Sequence, residues 1–337
     1  MAPTNPPFDS RSLAKFCGVS RGTVDRALHG RGEVNAKTRE KILKMAEKHG
    51  YRPNAVGQAL VTGRTRTLGL VAFDLENSFF TEIISAAEKR AREKGYTLLI
   101  AFSQKSPDLE RECIDFLAQK KVDGLALIPV TRGGAFSTRL TGIGFPVVSF
   151  GNRVSPKIPF VGIDEKKAME EAVEFAFSHG YRSIQYYCPP MRHRGPVNLG
   201  AQELRLAGYR SAMKRLDLGA RAIEDTASIG DFFRAARKEP GKASLLCSND
   251  LYALEVLEAA ARENLRPPED FGLMGFDGLA FLKYVRPAMS TVRYPTHEAG
   301  SAMVDLLLRL IDGGHPIDQI LRHEILGRRT MEMPASV

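Results

Sequence analysis

Arg21, Gly22, Asp25, Arg26 and His29 are spaced so that they share one side of a helix, while Val24, Ala27 and Leu28 fall on the other. The polar side has a definite chemistry. An arginine fork can donate two hydrogen bonds to O6 and N7 of a guanine in a DNA major groove. Glycine beside it lets the backbone lie close to the bases. Asp25 is the odd member. It sits one turn after Arg21, where it can pair with that arginine or accept from a cytosine N4 group; the pairing is the expected role.

A second set of polar residues follows apolar runs. Asp74 and Asn77 come after "GLVAF", Asn249 and Asp250 after "SLLCS", and Asp277 after "GLMGF"; Arg205 lies near the start of "ELRLAGYRSAM". Arginine, asparagine and aspartate supply the multiple donors and acceptors that a polyhydroxyl ligand needs. Phe79 and Phe80 are candidate aromatic walls, and Phe80 reads equally well as core. Asp250 reads as the cap of the helix that follows it.

Both sets need elements to position them. "DSRSLAKFCG" reads as a helix capped by Asp9 and closed by Gly18, with Leu13, Ala14 and Cys17 on its apolar face. Ser20 caps a second helix over Arg21–His29, closed by Gly30. Helix, short turn and helix make a helix-turn-helix unit, whose second helix presents its N-terminal polar face to the major groove. A third helix, Ala36 to His49, starts at Asn35 and offers Ile42, Leu43 and Ala46 to a small core, with Gly50 ending it. Pro53 and Asn54 then open a two-turn segment, Ala55 to Val61, too short to persist alone in water. Gly63 to Thr67 reads as a basic tether. Leu60 in the short segment can wedge into a minor-groove base step or pack between domains.

From Thr67 the pattern changes. "TLGLVAF", "YTLLIAF", "GLALIPV" and "PVVSFG" read as buried parallel strands, alternating with helices such as "FFTEIISAAEKRAREKG" and "LERECIDFLAQKK". A second series follows, "SIQYYC", "SLLCSND" and "FGLMGFD". Two alternating series predict two doubly wound α/β lobes. A ligand cleft is expected between them, at the carboxyl ends of the strands.

The charge agrees with a divided chain. The protein has 337 residues and a net charge of +9; residues 1–66 hold 13 basic and 5 acidic residues, and the remainder nets only +1. A confined basic domain on a near-neutral body suggests a polyanionic partner. The length fits two or three domains. No apolar run approaches the roughly 18 residues of a membrane span, and "MAPTNPPFDS" is no secretory signal, so a cytoplasmic location is expected. Cys17, Cys113, Cys188 and Cys247 are far apart and read as reduced, mostly core thiols. The scattered histidines offer no metal spacing, and no cofactor is implied.

These stretches, with "TREKILKMAEKHGYRPNAVGQAL", "TGRTRTLGLV", "KKVDGLALIP" and "CSNDLYALEVL", resemble the LacI/GalR family of bacterial transcription regulators from about Leu13 to Arg329. The resemblance implies a homodimer and an all-α helix-turn-helix head over 1–52. It implies a hinge helix and linker over 53–66, and a body over 67–337 like a periplasmic sugar-binding protein. Its lobes are expected at about 67–163 with 293–318, and 164–292 with 319–337. By position, Arg21 and Gly22 fall on the pair that chooses bases, and Arg26 on an arginine that contacts guanine. Ser20, Thr23 and Asn35 match positions near phosphates, and His29 and Asn54 complete the expected DNA-facing set. Leu60 matches the hinge leucine that wedges the minor groove. Arg205, Asn249 and Asp277 match effector-contacting positions, Phe79 and Phe80 the aromatic pair at the cleft edge, and Asp74 and Asn77 join them. Two departures stand out: "PVVSFGNR" offers Gly151, Asn152 and Arg153 where relatives often carry an acid, and Arg192, His193 and Arg194 mark a loop that would favour an anionic effector if it faced the cleft.

The expectation is an effector-controlled repressor of a near-palindromic operator, its effector a sugar or sugar derivative. Two rivals share the body. A solute-binding protein would lack the basic head and carry a signal peptide. An enzyme should show a motif, yet Gly-x-Gly-x-x-Gly after a strand, Gly-x-x-x-x-Gly-Lys and His-Glu-x-x-His are missing from the sequence, and the Gly-x-Ser-x-Gly match "GVSRG" at Gly18–Gly22 lies in the turn between two head helices, not after a strand. "SLAK" at Ser12 matches only a short Ser-x-x-Lys pattern, on the first head helix.

Overall fold

The computed structural model describes residues 9–29, 32–51, 57, 59, 62–188, 197–225, 228–239 and 241–332. They form two compact units, Met1–Thr65 and Arg66–Val337.

In the first unit, α1 (Ser10–Cys17), α2 (Arg21–His29) and α3 (Ala36–Lys48) each begin where a short polar side chain satisfies an open backbone N–H. Asp9 accepts from Ser12 N at 2.8 Å, Ser20 Oγ from Thr23 N at 3.1 Å and Asn35 from Lys37 N at 3.0 Å. Gly18 ends α1 at φ 72°, a left-handed conformation that costs a glycine little. Lys41 Nζ donates to the Cys17 carbonyl at the same helix end. Leu13, Ala14, Cys17, Val24, Ala27, Ile42 and Ala46 close the core. Leu43, expected there, is exposed; Met45 packs instead, because a stripe from Ile42 continues at i+3 and i+4, not at i+1.

The second unit contains, among its described residues, two six-stranded sheets. The first runs β11 (Gln319–Leu321), β5 (Phe160–Ile163), β4 (Val147–Phe150), β3 (Gly124–Leu127), β1 (Thr67–Ala72), β2 (Thr97–Phe102), all parallel. The second runs β12 (Glu324–Leu326), β10 (Ser290–Arg293), β9 (Gly272–Asp277), β8 (Ala243–Cys247), β6 (Ser183–Tyr187), β7 (Arg221–Ile223), parallel except for β12. Continuous burial along β1, β3, β4, β5, β8 and β9 is what helices on both faces of a parallel sheet produce. Helices α4 (Ser78–Glu93), α5 (Pro107–Gln119), α6 (Gly134–Thr141) and α11 (Thr296–Ile311) belong to the first lobe. Helices α7 (Glu165–Ser178), α8 (Gly200–Arg215), α9 (Ile229–Lys238) and α10 (Asp250–Arg262) belong to the second.

The chain crosses between lobes after β5, after β10 and after β11. The third crossing corrects the boundary expected at 318: the three residues of β11 still pair with β5, and only after Leu321 does the chain enter the second sheet. β5 and β10 are not announced by the sequence: Gly162 divides the apolar run of the first, and Ser290, Thr291 and Arg293 make the second mostly polar. No helix among the described residues is long and apolar enough to cross a membrane.

Candidate DNA-facing helix and effector cleft

On α2 the amphipathic division is complete. Val24 and Ala27 are 1% exposed, whereas Arg21, Gly22, Asp25 and Arg26 lie at the surface. Ser20 and Thr23 are tied to each other, their hydroxyls 2.9 Å apart. Arg26 Nε donates back to the Gly22 carbonyl at 3.2 Å, which orients its guanidinium along the exposed face. Gly22 is the most informative residue of this face. A Cβ built on it would meet only Ser20 Oγ, at 3.8 Å. Glycine inside a helix costs about 1 kcal/mol relative to alanine, and no described neighbour in the head requires the missing Cβ.

The expected pairing of Arg21 with Asp25 is not formed: among the described residues Arg21 has no ion-pair partner. An arginine N-terminal to its acid is the weaker i, i+4 orientation, and an exposed pair gains little against side-chain entropy. Asn35 is exposed at the start of α3. The His29 side chain, Asn54, Leu60 and the Arg192–Arg194 loop lie outside the described residues.

In the body, Arg205 is the centre of a buried network. It projects from the second turn of α8 and is 4% exposed. Nε donates to Glu165 Oε2 at 2.7 Å, Nη1 to the Ser248 carbonyl at 2.5 Å, and Nη2 faces Asp277 Oδ1 at 3.6 Å. The guanidinium lies over the Phe276 ring, 3.6 Å from its centroid. Burial works against the charge on Arg205, but Glu165 and Asp277 outweigh it and hold its pKa above the ordinary value. Burial raises the Asp277 carboxyl well above its ordinary value despite Arg205.

Asp250 is not the helix cap expected from the sequence. Asn249 caps α10, accepting from Tyr252 N at 2.8 Å. Asp250 turns inward instead, accepting from Thr291 Oγ1 at 2.6 Å and from Leu279 N at 2.9 Å. These bonds pin the turn after β9, where Asp277 adopts φ 112°. Gly275 makes room for this: a Cβ there would stand 2.2 Å from Asp250 Oδ1. Burial lifts the Asp250 carboxyl to about 7, with the Thr291 and Leu279 bonds pulling the other way.

Arg205 and Asp277 are therefore brought together, with Asn249 next in chain to the carbonyl that Arg205 grips. Phe79 reaches this neighbourhood from α4, packing edge-on to Tyr294 with centroids 5.0 Å apart; Tyr294 in turn feels the charges of Arg205, Glu165 and Asp277. Phe79 is buried, and Phe80 is half-buried against Phe73 and Phe79. Asn77 caps α4, and Asp74 accepts from Glu76 N and pairs with Lys105 at 3.0 Å. Asn152 closes a seam between lobes, donating to the Asn198 carbonyl at 3.1 Å and accepting from Ala201 N at 2.8 Å. A two-pronged Arg132–Glu203 pair, at 2.5 and 2.8 Å, joins the lobes nearby. Glu82 on α4 also bridges the lobes, accepting from Ala280 N at 3.1 Å. A cavity of about 1120 Å³ opens at the crossings, walled in part by Glu82, Gly278, Arg293, Thr296 and Arg322.

Sequence reading missed Glu165, Asn198 and the Arg132–Glu203 pair. Glu165 had a signal: it follows a strand, β5, as Asp74 and Asp277 follow theirs. Asn198 and Glu203 act across lobes and have no local signature.

Comparison with known proteins agrees with this division. Residues 11–54 match the bacterial regulatory proteins of the lacI family, and residues 173–330 match the periplasmic binding protein-like domain. The HTH-type transcriptional repressor CytR of Escherichia coli K12 is 29% identical over 317 residues, covering 90% of each chain. The ribose operon repressor of Halalkalibacterium halodurans is 27% identical, over 94% of this chain and 93% of its own. Among solved structures, the lac repressor dimer bound to operator and the anti-inducer ONPF superposes with a TM-score of 0.81 at 22% identity, over 97% of this chain and 99% of that one. The CelR–cellobiose complex gives 0.66 at 25% identity, over 97% and 100%.

Proposed function

Because the chain is a LacI-family transcriptional regulator, with a lacI-type DNA-binding head and a periplasmic-binding-protein-like body, we propose that it represses transcription from a near-palindromic operator as a homodimer. Release or retention of the operator is set by a sugar or sugar derivative held between the lobes. The observation that carries this reading is the exposed face of α2. Its polar residues serve no packing in the head, and Gly22 is a cost to the helix with no internal return.

In this reading Arg21, Gly22 and Arg26 enter the major groove, and Ser20, Thr23, His29, Asn35 and Asn54 contact its borders and the phosphates. Leu60 enters the minor groove between the two hinge segments. The effector contacts Arg205, Asn249 and Asp277 from one lobe and Asp74, Asn77, Phe79, Phe80 and Asn152 from the other. It changes the angle between lobes, and so the meeting of the hinge segments. A relative named for the ribose operon and a neighbour solved with cellobiose support a carbohydrate effector.

The test is selection of duplexes from a random pool, followed by anisotropy titration of the winner and a scrambled control. The selected duplex should bind at least about 10³-fold tighter than the control at one fixed salt concentration. Equal affinity for both would refute a sequence-specific regulator.

A further inference from the structure

We infer that Asn198 and the Arg132–Glu203 pair form a salt-sensitive latch between the lobes, built wholly of protein groups, which opens as one unit while the Arg205 network rides intact on the second lobe.

Three short pieces meet at the seam. Two belong to the first lobe: the loop after β3, with Val130 and Arg132, and the turn after β4, with Asn152 and Arg153. The third is the lead into α8, from Asn198 to Glu203. Asn198 sits where they meet and is 2% exposed. Its backbone N donates to the Val130 carbonyl at 2.6 Å, and its Nδ2 donates to the Arg153 carbonyl at 3.0 Å. Its own carbonyl accepts from Asn152 Nδ2 at 3.1 Å. Oδ1 accepts from Gly200 N at 3.1 Å, which turns the lead into the helix. All four polar groups of the residue are therefore paired, three of them across the lobes. The side chain must donate to one carbonyl and accept from one amide, which asparagine does and an ionised aspartate cannot. The receiving loop is braced from inside the first lobe: buried Glu110 on α5 accepts from Val130 N at 2.6 Å and from Thr131 N at 3.0 Å.

The chemistry of the seam makes it a latch and not a permanent joint. Its bonds join groups that water satisfies almost as well once the lobes part, so parting is cheap. The Arg132–Glu203 pair is exposed by nearly half on both sides, so salt screens it. Parting also leaves the Arg205 network whole, because Glu165, Ser248, Phe276 and Asp277 all belong to the second lobe. Ala201 N is pinned to Asn152 Oδ1, and Arg205 follows Ala201 by one turn of α8. A shut latch therefore fixes Arg205 against the first lobe, and an open one carries it away. Asn198 and Glu110 are positioning residues in this device.

Hydrogen–deuterium exchange of the full-length protein, read at single amides and corrected for intrinsic rates, tests this without any ligand. Asn198→Asp keeps the side-chain shape but sets a carboxylate against the Arg153 carbonyl. The Ala201 amide should then exchange at least about tenfold faster. Arg132→Gln leaves the sequence around Asn198 and Ala201 untouched and should speed both amides about two- to fivefold. Raising the salt from about 0.05 to about 1 M should speed the wild type by a similar factor and leave Arg132→Gln unchanged. Throughout, the Val130 and Thr131 amides held by Glu110, and the amides of β8 and β9, should keep their wild-type rates. An Ala201 amide unmoved by Asn198→Asp would overturn the latch. Amides of β8 and β9 that speed up in step with Ala201 would overturn its independence, since the body would then be opening as a whole. Arg132→Gln without effect, or as salt-sensitive as the wild type, would remove the ion pair from the latch.

Discussion

The exposed face of α2 and the buried network around Arg205 are the two sets of polar residues to which the proposed function assigns partners, and they are built in opposite ways. On α2 the charged groups stand in water, and the head's core of Leu13, Val24, Ala27 and Ile42 closes without them. Around Arg205 the groups are interlocked, so each depends on the next: Glu165 on the guanidinium, Asp277 on the turn that Asp250 pins. A DNA partner is large and charged and can desolvate an exposed face on arrival. A small ligand cannot, and its site must be dry and ordered beforehand. Function and folding should therefore separate on α2 and stay coupled at Arg205.

The largest expected effect tests the coupled side. Arg205→Ala leaves buried carboxylates uncompensated and should destabilise the body by about 3–5 kcal/mol, seen as a lower denaturation midpoint for the body alone. A midpoint within error of wild type would mean that the network is not interlocked. On the separable side, Arg21→Ala or Arg26→Ala should weaken discrimination between operator and control duplex by about 1–3 kcal/mol, with head stability unchanged within about 0.5 kcal/mol. Loss of head stability in proportion to affinity would merge the two regions.

Gly22→Ala sharpens the contrast, because its two effects should have opposite signs. The head gains up to about 1 kcal/mol of stability, read by thermal unfolding of the full chain, while operator affinity falls. A smaller effect concerns pH. Asp277 is raised in the folded state, so its contribution is complete below the unfolded carboxylate pKa of about 3.9 and is lost as pH climbs towards its elevated folded value. Asp277→Asn should therefore melt above wild type at pH 8, and this Tm advantage should shrink towards zero near pH 4. An advantage of constant size across that range would contradict the pH linkage.

The head was almost wholly legible from its sequence, because its rules are local. Asp9, Ser20 and Asn35 cap their helices where short polar side chains precede apolar periodicity; Leu43 was placed one position out of the stripe, and the Arg21–Asp25 pairing does not form. The alternation of the body was legible for the same reason. What escaped was non-local or weakly patterned. β5 is divided by Gly162, β10 is mostly polar, and β11 joins the first sheet from the far end of the chain. Asn249 and Asp250 exchanged roles because both residue types cap helices, and only the closeness of Gly275 and Thr291 decides which turns inward. Arg205 was found by position. Its partner Glu165 was not, since 40 residues of chain separate two groups that meet at 2.7 Å.

The central claim is that the solvent face of α2 reads DNA without taking part in the head's own fold. The most direct measurement is a paired one on Arg26→Ala: anisotropy titration against the selected operator and a scrambled duplex, with head stability recorded on the same preparation. The account predicts operator affinity reduced towards the control, the control barely changed and stability unaltered. Equal weakening on both duplexes, or a destabilised head, would contradict it.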